Sequence, residues 1–372
     1  MTRRILYVVT TLGWGGAESQ VIDLASRFHT RGWDVGVATL LAEAERSAPL
    51  RALGISVHTL GMRRGVPDPR ALARLARLIA SFGPSVVHAH MVHANLLTRL
   101  VRLFCRMPVL ICSAHIDEEG RWREMAYRLT DSLTDLTTNV SHAGVQRAIA
   151  VGAAPEHRIR FMANGIDVCR FGGDTSACAS LRHELSLGDR FVWLAVARFD
   201  EQKDYPNLLK AYAQVCDHPA HPILLLVGEG PLKPQMESHA RHAGLTRSVR
   251  FLGRRDDIPD LMKAADAYVM SSAWEGLPIV LLEAAASRLP IVATDVGGNS
   301  QIVLKGKTGE LVLPRASRAL GDAMRRMMDL PAEERIALGD AGSRHVAETF
   351  GLDTIVGQWE DVYVDLLSGK GA

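Results

Sequence analysis

Short runs of consecutive apolar residues alternate along the chain with longer stretches whose apolar positions recur every three or four residues. This is the pattern of buried strands alternating with helices. In the first half, strands are expected at residues 5–9, 33–39, 84–88, 109–113 and 136–140, with helices at 17–28, 70–80, 93–104 and 141–150. A second series, with strands expected at 191–196, 223–227, 249–252, 267–270 and 291–294, begins after Gly172-Gly173-Asp174, which reads as a linker. Ile355, Val356, Trp359, Val362 and Leu366 follow helical spacing and predict a closing helix over 352–367. Such alternation implies parallel sheets covered by helices on both faces. The expected fold is therefore α/β, with two Rossmann-like doubly wound domains over 1–170 and 171–351 and a terminal segment, 352–372, packing back on the first. Ligands of open parallel sheets sit beyond the carboxyl ends of the strands, here in a cleft between the two domains, so function is sought in the loops that follow strands.

Composition narrows the class. A chain of 372 residues with 47% hydrophobic and 23% charged residues is a folded globular protein with room for two cores. Forty-three basic and 41 acidic residues nearly cancel, so overall charge gives no reason to expect a nucleic-acid partner. Cys105, Cys112, Cys169, Cys178 and Cys216 are scattered without any Cys-x-x-Cys pair, as expected of reduced cytosolic thiols. The apolar run after Arg3 and Arg4 is too short for a signal peptide, and the apolar region 277–294 is interrupted by Pro278, Glu283, Arg288 and Pro290. Neither export nor a membrane-spanning helix is expected. Arg63, Arg64, Arg70, Arg74 and Arg77, with Arg121, Arg123 and Arg128, form basic groups that suit an anionic membrane surface or, equally, the solvated face of ordinary helices.

The strongest chemical signal is Trp274-Glu275-Gly276-Leu277-Pro278, followed by Glu283. Pro278 suits the first turn of a helix, which leaves Glu275 in the preceding loop and Glu283 about two turns in. That arrangement offers one carboxylate to a sugar, one to a ribose, and a helix N-terminus to a phosphate. The plainer alternative is a buried capping acid and a surface glutamate. Arg198 and Lys203 follow a strand end and suit a diphosphate, as a forked and a point-charge contact; otherwise they are a surface ion pair. His115 follows another strand and shares its loop with Asp117, Glu118 and Glu119, which favours contact with a donor sugar or diphosphate over a nucleophilic role. His88, His90 and His93 fit no zinc spacing and are expected to line the acceptor side.

Glu275 through Glu283 resembles the Glu-x7-Glu motif of retaining glycosyltransferases of family 4, whose GT-B fold has two facing Rossmann-like domains. The resemblance runs along most of the chain. Gly15-Gly16-Ala17-Glu18 resembles the glycine-rich loop after the first strand, and His115 the active-site histidine of the amino-terminal domain. Asn164-Gly165-Ile166-Asp167 resembles the interdomain Asn-Gly-Val-Asp motif, and the segment from Arg198 to Lys203 the diphosphate-binding stretch. Gly228-Glu229-Gly230-Pro231 and Val296-Gly297-Gly298-Asn299 resemble donor-site loops. The resemblance implies an acceptor-side first domain and a donor-binding second one. Glu275, His115, Arg198 and Lys203 are then the catalytic residues, and Gly15, Gly16, Asn164, Gly228, Gly230, Gly276, Leu277, Pro278 and Glu283 join Arg198 and Lys203 in holding the donor. It implies a nucleotide-diphosphate sugar, UDP-linked first, as donor, with no further cofactor. A front-face route, in which the leaving phosphate takes the acceptor proton, is implied too, with a glycan or lipid-linked acceptor in bacterial surface polysaccharide or lipopolysaccharide assembly. Gln301 and Leu277 depart from the family's frequent Glu and Phe.

Other motifs fail. Gly13-x-Gly15 is followed by Glu18 where the dinucleotide fingerprint needs a small residue, and Gly306-Lys307-Thr308 lacks the leading glycine of a P-loop because Gln301 stands there. Asn139-Val140-Ser141 has meaning as a glycosylation site only in an exported chain. The chain has no Asp-x-Asp, which fits a metal-independent transferase with basic residues and helix ends in place of a cation. The competing readings are a non-catalytic nucleotide-sugar-binding subunit and a GT-B epimerase or phosphorylase.

Overall fold

The computed structural model describes residues 3–42, 46–115, 120–172 and 176–369. They form two α/β units: Met1–Gly165 together with Leu352–Ala372, and Ile166–Gly351.

The first unit is built on a sheet of seven strands: β1 (Arg4–Val9), β2 (Asp34–Leu41), β3 (Ser56–Met62), β4 (Val86–His90), β5 (Val109–Ala114), β6 (Leu136–Asn139) and β7 (Ile159–Phe161). Their order is β3-β2-β1-β4-β5-β6-β7, with every pairing parallel. The chain starts in the middle, winds out to β3, and returns to the far side of β1 as β4. The order therefore reverses between β1 and β4, where a crevice opens at the strands' carboxyl ends. Residues 5–9 are wholly buried, as a strand covered on both faces requires. The Leu352–Ser368 helix belongs to this unit: Tyr363 packs on Phe28 and Trp33, and Glu360 accepts hydrogen bonds from Arg3, Arg31 and Trp33.

The second unit has six strands: β8 (Val192–Val196), β9 (Ile223–Val227), β10 (Val249–Gly253), β11 (Ala267–Met270), β12 (Ile291–Thr294) and β13 (Gly309–Val312). The order β10-β9-β8-β11-β12-β13, again all parallel, reverses between β8 and β11. Its core gathers Trp193, Phe199, Tyr212, Leu226 and Met324 under the helices.

Several expectations are corrected. The units divide at Gly165 and Ile166, ahead of the expected linker, because Ile166 donates its N–H to Phe350 O at 2.8 Å and bridges to Gly351. Gly173 and Asp174 lie outside the described residues. Strands β3, β7 and β13 have no counterpart in the hydrophobic pattern; each is a sheet edge, and in β3 only Leu60 is buried. Pro278 stands just before the Ile279–Ala286 helix as its N-cap, not within its first turn. On the Arg70–Phe82 helix, Leu75 and Ile79 are buried in the core, with Leu72 and Leu78 packed against it, so its apolar side is already used. Among the described residues no helix is long and apolar enough to cross a membrane.

Candidate active site

The reversal point of the second unit carries the expected Arg198, Lys203 and Glu275. In the second unit β8 ends at Val196 and leads into Arg198 and a short 3-10 turn, Glu201–Lys203. Next to it β11 ends at Met270 and leads through Ser271 to Glu275. Three hydrogen bonds tie these loops together: Ser271 Oγ donates to Lys203 O at 2.8 Å, Ala273 N–H to Gln202 O at 2.8 Å, and Gln202 Nε2 to Trp274 O at 3.0 Å. The turn thus delivers Lys203 Nζ to 2.5 Å from Glu275 Oε1, while Gln202 Nε2 donates to Glu275 Oε2 at 3.0 Å. Glu275 is buried, so its charge is balanced by a cation and an amide in place of water. Gln202 was not among the residues expected from sequence; its only signal was its place between Arg198 and Lys203.

Arg198 is set differently. Its side chain is 69% exposed, with Asp200 3.7 Å from its Nε, and its guanidinium stands out in solvent. The backbone beneath it is fixed: Phe199 N–H donates to Glu229 O at 3.1 Å, and Leu232 N–H donates to Phe199 O at 3.0 Å. Gly228 makes this approach possible. Its φ is +137°, and a Cβ there would lie 2.1 Å from Ala197 O. Gly230 packs nearly as close to Phe199, where a Cβ would lie 2.4 Å from Phe199 O, so the expected donor loop is first a support for the Arg198 loop.

Gly276 and Leu277 lead from Glu275 to the Ile279–Ala286 helix, whose first N–H groups point back toward the loop. Gly276 O accepts from Gly298 N–H at 2.6 Å, and Gly297, at φ +54°, leaves no room for a Cβ against Glu275 O. Glu283 lies half-buried on the second turn. It faces Tyr268, whose phenol is raised well above its ordinary pKa by burial, with the Glu283 and Glu275 charges adding to the effect. Tyr268 donates its hydroxyl to Val196 O at 3.1 Å and accepts from Val196 N–H at 3.2 Å, anchoring the end of β8.

In the first unit Gly15 caps the Gly16–Thr30 helix, and the Glu18 carboxylate folds over Gly15 at the positive end of that helix. Asn164 is buried beside Gly165, which donates its N–H to Gln20 Oε1 at 2.7 Å. His115 is half-buried immediately after β5, with its Nε2 3.0 Å from His90 Nδ1. Burial pushes the His115 pKa down to about 4, so the ring is neutral near pH 7. Asp117, Glu118 and Glu119 lie outside the described residues.

The expectation that His88 and His90 line an acceptor site is corrected. Two apart on β4, they face the same side and are wholly buried. His93, on the next helix, is exposed. The structure thus brings Lys203, Glu275, Gly276 and the Gly297 loop together in the second unit; His115, Gly15, Gly16 and Asn164 all lie in the first.

Comparison with known proteins agrees with this architecture. The family model described as Glycosyltransferase Family 4 matches residues 14–170, and that of Glycosyl transferases group 1 matches 180–345. The Bacillus subtilis (strain 168) protein named "Putative glycosyltransferase EpsF" is 30% identical over 311 residues, 79% of each chain. A GDP-mannose-dependent alpha-(1-6)-phosphatidylinositol monomannoside mannosyltransferase of Mycobacterium tuberculosis is 29% identical over 80% of each chain. The crystal structure of Anabaena HepE in complex with UDP and glucose superposes with a TM-score of 0.86 at 22% identity, covering 98% of this chain and 100% of that one. With each unit matched by a glycosyltransferase model and a 30% identical relative spanning four-fifths of both chains, this chain belongs to the GT-B glycosyltransferases.

Proposed function

We propose that the protein transfers a sugar, with retention of anomeric configuration and without a metal ion, from a nucleoside-diphosphate sugar to a glycan or lipid-linked acceptor in cell-surface polysaccharide assembly. The observation that carries this reading is the Lys203–Glu275 pair at the reversal point of the second sheet, with Arg198 exposed on the same loop as Lys203. Cleavage of the bond between an anomeric carbon and a diphosphate builds negative charge on the departing oxygens. Arg198, Lys203 and the start of the Ile279–Ala286 helix supply positive potential for it. Glu275 then faces the sugar, Glu283 the ribose, and His115 the donor sugar or diphosphate.

UDP-sugars come first as donors because the HepE complex holds UDP and glucose, and GDP-mannose second because the mycobacterial relative uses it. That relative's acceptor is a phosphatidylinositol mannoside, which supports a lipid-linked acceptor and work at a membrane surface. Trp122, Met125 and Leu129 add to this. They project as an exposed apolar stripe from the Arg121–Thr130 helix beside the exposed Arg121 and Arg128, the composition of an interfacial helix on anionic lipid.

Thermal unfolding with UDP, GDP, ADP, UDP-glucose and GDP-mannose tests the donor. A ligand at about 100 times its Kd adds roughly 2.7 kcal/mol to stability. One nucleotide family is expected to raise the Tm, with the response lost in Glu283→Ala. A Tm response without any transfer activity would favour the non-catalytic nucleotide-sugar-binding subunit, and no response to any of them would remove the nucleotide-sugar donor from the reading. Product stereochemistry by NMR then decides retention, free sugar phosphate or an epimer would identify a phosphorylase or epimerase, and complete loss of transfer in EDTA would refute metal independence.

A further inference from the structure

Three histidines converge behind the first unit's reversal point. His88 is held at both ring nitrogens: Nδ1 is 2.7 Å from Tyr363 Oη, and Nε2 is 2.7 Å from Ser113 Oγ, which is itself 2.7 Å from Thr138 Oγ1. The His90 ring lies 4.0 Å from that of His88, centroid to centroid, so a clamped ring fixes its orientation. From there His90 Nδ1 reaches His115 Nε2 at 3.0 Å. Among the described residues, His90 Nε2 and His115 Nδ1 have no hydrogen-bond partner.

One proton occupies the His90–His115 bond, and its source decides what His115 offers a ligand. If His115 Nε2–H donated, His90 would carry its own proton on Nε2, an unpaired N–H in the closed core. Buried unpaired donors are rarely tolerated. If His90 Nδ1–H donates, the bare atom in the core is an acceptor nitrogen. The unmet N–H is then Nδ1–H of His115, which is covered too, so either tautomer leaves one unpaired donor. The difference is its place: on a half-buried residue where the strand opens into its loop, the side from which a ligand would meet it, and not on a strand residue closed in the core.

We infer that His90 is a positioning residue: its Nδ1–H donates to His115 Nε2 and fixes His115 as the Nδ1–H tautomer, so that His115 meets an oxygen of the sugar donor as a hydrogen-bond donor. This rests on the reading of His115 as a donor contact. The outer group sets the tautomer of the inner one, as carboxylates and carbonyls do behind metal-bound histidines. The neutral state that burial imposes on all three rings is what makes a tautomer, and not a charge, the quantity being set.

Nitrogen-15 NMR of histidine-labelled protein at pH 7 reads the tautomer without substrate. His115 is expected to be protonated on Nδ1 in the wild type and in His90→Asn, whose amide occupies the place of Nδ1, and to become a mixture in His90→Phe. Binding of whichever of UDP-glucose and GDP-mannose raises the Tm gives the second readout: about tenfold weaker in His90→Phe, within about threefold of wild type in His90→Asn, and lost in His115→Ala. A wild-type His115 protonated on Nε2 overturns the inference, whether or not either variant folds. Wild-type affinity in His90→Phe with binding lost in His115→Ala overturns it alone; wild-type affinity in His115→Ala overturns the parent reading, and the proposed ligand contact with it.

Discussion

Lys203 and Glu275, 72 residues apart in sequence, meet at 2.5 Å with only 17% and 5% of their side chains exposed. Each is the other's main counter-charge. Lys203→Met would leave a buried carboxylate supported by Gln202 alone, and removing one partner of a buried pair typically costs about 3 kcal/mol. The Lys203→Met/Glu275→Gln double variant is expected to regain a substantial part of that loss in urea unfolding, while both single variants lose transfer. Additive losses in the double-mutant cycle would show that the two charges are not coupled.

Arg198 gives the opposite separation of stability from function. Its side chain is mostly in solvent, so Arg198→Ala is expected to change unfolding free energy by less than about 0.5 kcal/mol. The Tm response to the nucleotide donor should nonetheless fall sharply. Unchanged donor affinity in this variant would remove Arg198 from the diphosphate site.

Gly297→Ala forces a Cβ toward Glu275 O from a backbone at φ +54°. A strain of roughly 1–3 kcal/mol is expected, together with a displaced 275–278 loop and weaker donor binding. Gly32→Ala, also at positive φ but with open space around it, is the control: it carries backbone strain without the steric clash and should leave donor affinity intact.

The buried histidines set an acid limit on the first unit. Their folded pKa values lie below the ordinary value near 6.5, well below it for His88 and His90 and at about 4 for His115, with burial the main cause. Above pH 6.5 both folded and unfolded states are neutral, and the contribution to stability is complete. As pH falls below 6.5 the unfolded chain takes up protons that the folded chain refuses, so each wholly buried ring costs up to about 1.4 kcal/mol per pH unit until its folded pKa is reached. Unfolding free energy is expected to drop steeply from pH 7 to pH 5, less so in His90→Phe. An identical slope in that variant would place the acid sensitivity elsewhere.

On the Arg121–Thr130 helix, Trp122→Ser with Leu129→Ser is expected to abolish cosedimentation with anionic vesicles at low salt while leaving Tm nearly unchanged, since both side chains are exposed. Wild-type protein that stays in the supernatant at low salt would refute the membrane contact.

Central strands were legible because burial on both faces demands unbroken apolar runs such as Ile223–Val227. The edges were not. β3 mixes Ser56, His58 and Thr59 among its apolar residues, and β7 has only three residues. In the site, charged residues in loops after strands could be found from sequence, because Arg198, Lys203 and Glu275 are unusual in those places. The support beneath them could not: Gln202, Tyr268 and His90 act through partners far away in the chain, and no local pattern pairs His90 with His115. The same applies to the Arg70–Phe82 helix, whose apolar and basic stripes look alike in sequence whether the apolar side meets a membrane or, as here, the core.

The bridge between Ile166 and Gly351 closes the second unit into a loop of chain whose two ends lie side by side. During synthesis the ribosome therefore finishes the second unit before the first. The strands that open the chain wait with His88 uncovered until Trp359 and Tyr363 emerge at the end. A chain stopped at residue 351 would carry Arg198, Lys203, Glu275 and Glu283 on a complete second unit and still lack the side chains that close the first. Early termination in this protein thus damages the part made first.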